Sequence, residues 1–222
     1  MRSKAVDENI AQKTGELLAK THVVSEQNNL HIKNDVLFNP FKPNDLIFFD
    51  EFMSLENSLK GEDKVLFEMI TDKYNTYMEI LAPLREYPQY AVQGDISNNN
   101  LYLTSGGEVG VFDFNRSGDN ILFCDAVMQA IFEARLMDYP KNKSNNFENK
   151  ILDSFWKGYC SVRSFSKEEQ KYYPYLCAII NAFFGCDISW NEDSLLNAYE
   201  SGDSESVRRW LKIIWKRLSL PV

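Results

Sequence analysis

The segment Gln93-Gly94-Asp95-Ile96-Ser97-Asn98-Asn99-Asn100-Leu101, followed by Val111-Phe112-Asp113-Phe114-Asn115, constrains the fold of this chain more than any other. It sets a carboxylate at Asp95, an amide five residues later at Asn100, and a second carboxylate thirteen residues beyond that at Asp113. A phosphoryl-transfer site asks for such a set. One carboxylate orients a hydroxyl and accepts its proton, while an amide and a second carboxylate hold Mg2+ against phosphates. The flanking residues fix the local structure. Tyr90-Ala91-Val92 reads as a strand, and Leu101–Leu103 and Val109–Phe112 read as two strands joined through Thr104–Glu108. Gly106-Gly107 supplies the positive-φ turn of that hairpin. The three polar residues therefore fall on a loop before a hairpin and at the end of its second strand. Rigid neighbours hold them there, yet they face solvent.

Outside this segment the apolar spacing is helical. The spacing predicts an amphipathic helix from about Ala5 to His22, with Ile10, Thr14, Leu17, Leu18 and Thr21 on one face. Residues from about Gln27 to Asn44 are rich in Asn and Pro and read as loop, and Leu46–Phe52 is ambiguous in type. A long helix is predicted over Gly61–Leu84, burying Leu66, Ile70, Tyr74, Tyr77, Leu81 and Leu84 and ending near Pro83 and Pro88. Further helices are predicted over Asp125–Met137, Asn146–Val162, Lys167–Phe184 and Val207–Leu218, with an Asn-rich loop at Asn142–Asn149. The apolar stripes of these helices read as core packing, as do Tyr172, Tyr173, Trp210 and Trp215.

Composition narrows the function. Of 222 residues, 44% are hydrophobic and 14% aromatic, which suits a globular chain able to bury one good core. A net charge of −8 argues against binding a nucleic-acid backbone; it is compatible with a cationic substrate, but reads first as a solubilising surface. Cys124, Cys160, Cys177 and Cys186 show no CxxC spacing and lie far in sequence from the two histidines, His22 and His31, so a zinc site is not expected. These cysteines read as buried thiols in a reducing compartment. The start Met1-Arg2-Ser3-Lys4 opens no apolar core, and no run reaches the length of a membrane span, so the expected location is the cytoplasm. Lys4, Lys13 and Lys20 read as solvated helix charges and His22 as a packed or capping residue. Glu133, Asp138, Asp187, Glu192 and Asp193 read as solvated surface.

Gly94-Asp95 with Asn100, and Val111-Phe112-Asp113-Phe114, resemble the catalytic and metal loops of aminoglycoside phosphotransferases and their choline-kinase and homoserine-kinase relatives. That family writes HGDxxxxN and then IDFD or IDWE. Thr14–His22 is similar to its LGxxLAxLH helix, and Asp125-Ala126-Val127 to the Asp that follows the metal loop and opens the next helix. The resemblance runs from about residue 10 to 140. It implies a mainly α fold with a small β-hairpin, the C-terminal lobe of a protein-kinase-like fold. One such lobe would span 1–222, with a helical segment over 1–89, catalytic loop, hairpin and metal loop over 90–115, and a helical subdomain over 116–222. It implies Asp95 as catalytic base, Asn100 and Asp113 as Mg2+ and cofactor ligands, and Gln93 and Asp125 as structural support, with Asp125 capping its helix or bracing the catalytic loop. ATP is the implied phosphoryl donor. The implied acceptor is a hydroxyl of an aminoglycoside-, choline- or homoserine-like small molecule.

Three departures from the pattern shape a second expectation. Gln93 stands where the family has His, and could brace the loop through its amide. Asn115 stands where it has the second acid of the metal loop, leaving one fewer negative charge for Mg2+. No glycine-rich loop or strand lysine precedes Ile10, so the chain is expected to be the C-terminal lobe alone or a piece of a longer kinase. The alternative is a catalytically silent kinase-like module that binds a partner through the surface an N-terminal lobe would cover.

Overall fold

The structure is a computed structural model that describes residues 7–42, 45–96, 100–135 and 146–219. Ser97, Asn98 and Asn99 of the motif, Lys4, Asp138, Met137 and the first half of the Asn142–Asn149 loop lie outside the described residues. In chain order the elements are α1 (Glu8–Gln27), α2 (Phe49–Met53), α3 (Gly61–Leu81), a 3-10 turn (Ala82–Glu86), β1 (Tyr90–Val92), β2 (Leu101–Leu103), β3 (Val109–Val111) and β4 (Gly118–Asn120). They continue as α4 (Leu122–Arg135), α5 (Phe147–Cys160), α6 (Lys167–Ala182), a π-helical turn (Cys186–Trp190), α7 (Leu195–Glu200) and α8 (Ser204–Leu218). Among the described residues helices dominate, and the strands form two separate two-stranded antiparallel sheets. No helix among the described residues is long and apolar enough to cross a membrane.

The chain divides into two compact units, Met1–Pro40 with Tyr87–Gln170, and Phe41–Glu86 with Lys171–Val222, which cut across the linear partition at 89 and 115. In the first unit, the Asp7 carboxylate caps α1 by accepting the Ile10 N–H at 2.8 Å. The small residues of α1 then let α5 approach very closely. A Cβ on Gly15 would stand 2.1 Å from the Phe155 carbonyl oxygen, and one on Gly158 would stand 1.8 Å from that of Gln12. Around this seam one core gathers Ala11, Leu18, Ala19, Ile96, Ala126, Ala130, Ala134, Ile151, Phe155 and Tyr159. α4 is buried at twelve of its fourteen residues, as a central helix is. β2 and β3 form the expected hairpin, Leu101 opposite Val111 and Leu103 opposite Val109. β1 pairs instead with β4, Tyr90 opposite Asn120.

The second unit is stapled by aromatic rings. Phe52 stacks on Phe67 at 4.5 Å, and Phe183 meets Phe49, Phe52 and Tyr74 edge-on at 5.0–5.3 Å. α8 lays Val207, Trp210, Leu211, Ile214 and Leu218 inward, and the Tyr77 hydroxyl of α3 donates to the Leu218 carbonyl at 2.7 Å.

Several expectations need correction. α1 runs a further turn, to Gln27, so His22 lies inside it. The buried stripe of α3 passes through Phe67, and Leu66 is only half-buried. Leu46–Phe52 splits into an isolated bridge, Ile47 to Phe184, and the short helix α2. α4 begins at Leu122, three residues before Asp125. Among the cysteines only Cys124 is buried, and Cys160 is exposed.

Candidate functional site

The loop after β1 is shaped by Gly94. Its φ is +80°, and an added Cβ would stand 2.4 Å from the Arg116 carbonyl oxygen, so the turn accepts no side chain. On either side of it the chain is tied down. Gln93 is 4% exposed, and its amide bridges the loop after β1 and the loop after β3. Nε2 donates to the Asp113 carbonyl at 2.7 Å, and Oε1 accepts the Asp95 N–H at 2.8 Å. Ile96 sits in the core at 1% exposure, and its N–H donates to Gln129 Oε1 of α4 at 3.1 Å. The half-buried carboxylate of Asp95 therefore leaves a fixed backbone.

Asn100 closes the loop on itself. Its Nδ2 donates to the Asp95 carbonyl at 3.0 Å and to Asp95 Oδ2 at 2.9 Å. This commits the amino side of the amide and leaves Oδ1 without a hydrogen bond among the described residues. The Asn100 carbonyl accepts the Phe112 N–H at 2.9 Å, which brings the metal-loop segment alongside. Asp113 is exposed and holds a left-handed φ of +62°, a conformation that Asp tolerates better than most residues. Its Oδ1 accepts the Asn115 N–H at 3.1 Å. Hydrogen bonds thus join the Asn100 amide to the Asp95 side chain and, through Gln93, the Asp95 backbone to the Asp113 carbonyl. The side chains of Asn100 and Asp113 offer oxygen atoms, the donor type that Mg2+ takes in preference to nitrogen or sulfur.

The hairpin bearing these residues is anchored at its tip. The Lys13 ammonium donates to the Gly107 carbonyl, so this half-buried lysine is not a solvated helix charge. Lys20 stays exposed and pairs with Glu16 at 2.5 Å. Glu133 and Asp187, read from sequence as surface, are buried, the latter against Arg217 at 2.5 Å. Their helical neighbours are apolar, and a single sequence does not tell an inward acid from an outward one.

Asp125 stands within the first turn of α4. Its carboxylate turns to His22 Nε2 at 3.0 Å, and His22 Nδ1 lies 2.9 Å from the Tyr159 hydroxyl. Arg163 Nη1 donates to the same hydroxyl at 3.4 Å. One donor order satisfies the chain: Arg163 to Tyr159, Tyr159 to Nδ1, and Nε2–H to Asp125. Burial pushes the Tyr159 phenol well above its usual range, which keeps it a donor. Sequence reading missed the Asp125–His22 pair, Gln129 and Tyr159, because their partners lie far along the chain.

Replacing Gln93 with Leu tests the bridge. It removes two part-buried hydrogen bonds, to the Asp95 N–H and the Asp113 carbonyl, at about 0.5–1.5 kcal/mol for each. The expected result in urea unfolding is a lower midpoint with an unchanged m-value.

No protein-family model matches the sequence, and no curated protein matches it. Solved structures do. The microcompartment-associated aminopropanol kinase is 15% identical with a TM-score of 0.52, over 98% of this chain and 62% of that one. An aminoglycoside phosphotransferase from Alicyclobacillus acidocaldarius subsp. acidocaldarius is 12% identical with a TM-score of 0.53, over 97% and 68%. Amicoumacin kinase hAmiN is 16% identical with a TM-score of 0.50, over 98% and 63%. The chain spans less than two thirds of the length of the aminopropanol and amicoumacin kinases. At these identities the likeness is one of fold: the chain has the architecture of the C-terminal lobe of the protein-kinase-like fold, built of helices and small antiparallel sheets.

Proposed function

We propose that this chain belongs to an ATP-dependent phosphotransferase acting on a hydroxyl of a small molecule, with Asp95 as its catalytic base. The observation that carries the reading is the closed loop in which Gln93 and Asn100 tie Asp95 and Asp113 together. Such a loop fixes a base and a metal ligand relative to each other before substrate arrives, which is what positioning catalysis requires. The acceptor hydroxyl would donate to Asp95 and lose its proton there as its oxygen bonds the γ-phosphorus. The bond from phosphorus to the β-bridging oxygen breaks, and ADP leaves with that electron pair. Asn100, through Oδ1, and Asp113 would hold Mg2+, which when bound neutralises charge on the phosphate oxygens. Gln93 and Asp125 act only through the loop and helix they brace.

The structural neighbours' names point to amine-bearing alcohols and antibiotics. A cationic acceptor also suits a chain of net charge −8. The test is transfer of labelled γ-phosphate from Mg2+-ATP, by the intact protein, to a panel of amino alcohols and aminoglycosides. Transfer to at least one acceptor is expected, and no transfer to any would overturn the reading.

One observation favours the silent-module alternative. Phe112 and Phe114 flank Asp113 at 48% and 58% exposure, and Tyr102, 45% exposed, lies 6.3 Å from the Phe112 ring, apolar surface suited to a protein partner. That reading expects no transfer in the same assay and a partner whose binding is lost when Phe114 becomes Asp.

A further inference from the structure

The inner face of α4 carries Asp125, Gln129 and Glu133, all buried and each one turn from the next. The first two are partnered. Asp125 meets His22, and Gln129 holds the N–H of Ile96, the residue after Asp95. Glu133 is fully buried, and neither of its carboxylate oxygens has a hydrogen-bond partner among the described residues. The hydroxyl that faces it, Thr14 of α1, is committed to the Ile10 carbonyl at 2.9 Å.

The elements packed on α4 bring no compensating charge. Among the described elements, α1, α5 and β1 make most of those contacts. From α1, Lys13 is spent on Gly107, Glu16 on Lys20 and His22 on Asp125. The α5 charges Glu148, Lys150, Asp153 and Lys157 are exposed, and its Tyr159 is engaged by His22 and Arg163. β1 offers only Tyr90, stacked on His31, and Arg135 of α4 has a partner of its own. Among the described residues, none of these groups offers an ionised Glu133 carboxylate a counter-charge, and the side chain is fully buried.

We propose that the Gln129–Glu133 edge of α4 is a proton-sensitive support for the segment that bears Asp95. With Glu133 neutral, α4 stays seated on α1 and Gln129 holds the Ile96 amide. With Glu133 ionised, water enters the seam and that amide is released. The support belongs to the fold and stands whether or not the segment catalyses.

Burial raises the Glu133 carboxyl to about 8 from its usual 4.5. The folded chain therefore binds a proton that the unfolded chain has already lost between these values. Stability from this group is full below pH 4.5, falls by up to about tenfold in the unfolding constant per pH unit toward pH 8, and is level above it. In the folded chain, the charge itself appears around pH 8.

The test compares wild type with Glu133→Gln from pH 5 to 9.5. It uses urea unfolding together with hydrogen exchange at the Ile96 amide, corrected for the intrinsic pH dependence. The ratio of the two unfolding constants is expected to climb by up to about tenfold per pH unit and level near pH 8. Ile96 protection should fall by up to about tenfold per pH unit toward pH 8 and level above it, in the wild type only. Should the glutamine variant fail to fold, Glu133→Leu, which cannot ionise, is expected to give the same flat profile. Parallel pH profiles for wild type and variant, or Ile96 protection that ignores pH in the wild type, would overturn the proposal. No readout uses catalysis, so this result is separate from that of the transfer assay.

Discussion

Asp95→Asn is expected to lower phosphoryl transfer by about 10²–10⁴-fold, the usual contribution of a positioned base. The substitution is close to isosteric, and its consequence follows from charge alone. An amide oxygen at that position can still accept from Asn100 Nδ2, which lies 2.9 Å from Asp95 Oδ2, so the loop keeps its shape. The backbone ties to Gln93 and Asn100 are untouched. What is lost is a proton acceptor in the transition state, so kcat should fall while KM changes little. A fall in KM affinity with kcat preserved would instead make Asp95 a binding residue. Turnover equal to wild type would remove it from the chemistry.

The second large effect is on stability. Gly158→Val should cost about 3 kcal/mol or more, the upper range for overpacking, because the obstacle is backbone. The new Cβ would meet the Gln12 carbonyl oxygen at 1.8 Å and the Glu16 nitrogen at 3.0 Å. No rotamer relieves a clash of that kind, so α1 and α5 must part. With them would go the cluster that seats Ile96 beneath Asp95. Gly106→Ala is the control, since its nearest neighbour would be the Thr104 hydroxyl at 3.8 Å, an ordinary contact. It should stay within about 0.5 kcal/mol of wild type. Equal thermal midpoints for the two variants would mean that the close helix contact is not what holds this unit together.

What the sequence made legible was local. Leu101–Leu103 and Val109–Val111 alternate around a Gly-Gly turn, and they pair as that pattern predicts. The helices follow their 3.6-residue stripes, with ends displaced by a few residues. The likeness of fold to small-molecule kinases was readable from the Gly94-Asp95, Asn100 and Phe112-Asp113 spacing, because a handful of residues carries that signature. What was not legible was set by distance along the chain. His22 and Asp125 are 103 residues apart, and Gln129 reaches Ile96 across 33, with no local pattern to announce either bond. β4, Gly118-Asp119-Asn120, has no apolar alternation and exists because β1 offers it an edge. Glu133 looked like surface because a carboxylate on a helix usually is, and only the packing of three elements around it makes it otherwise.

The central claim is that Asp95, Asn100 and Asp113 share one small volume open to a divalent cation, and paramagnetic broadening by Mn2+ tests it most directly. In amide NMR spectra of the intact protein, added Mn2+ should first erase the Asn100 side-chain NH2 and the backbone signals of Asp95, Asp113 and Phe114. Asp113→Asn should need about tenfold more Mn2+ to do the same, the cost of about 1.4 kcal/mol for one lost charged ligand. Broadening that begins elsewhere, or that is indifferent to Asp113→Asn, would contradict the site.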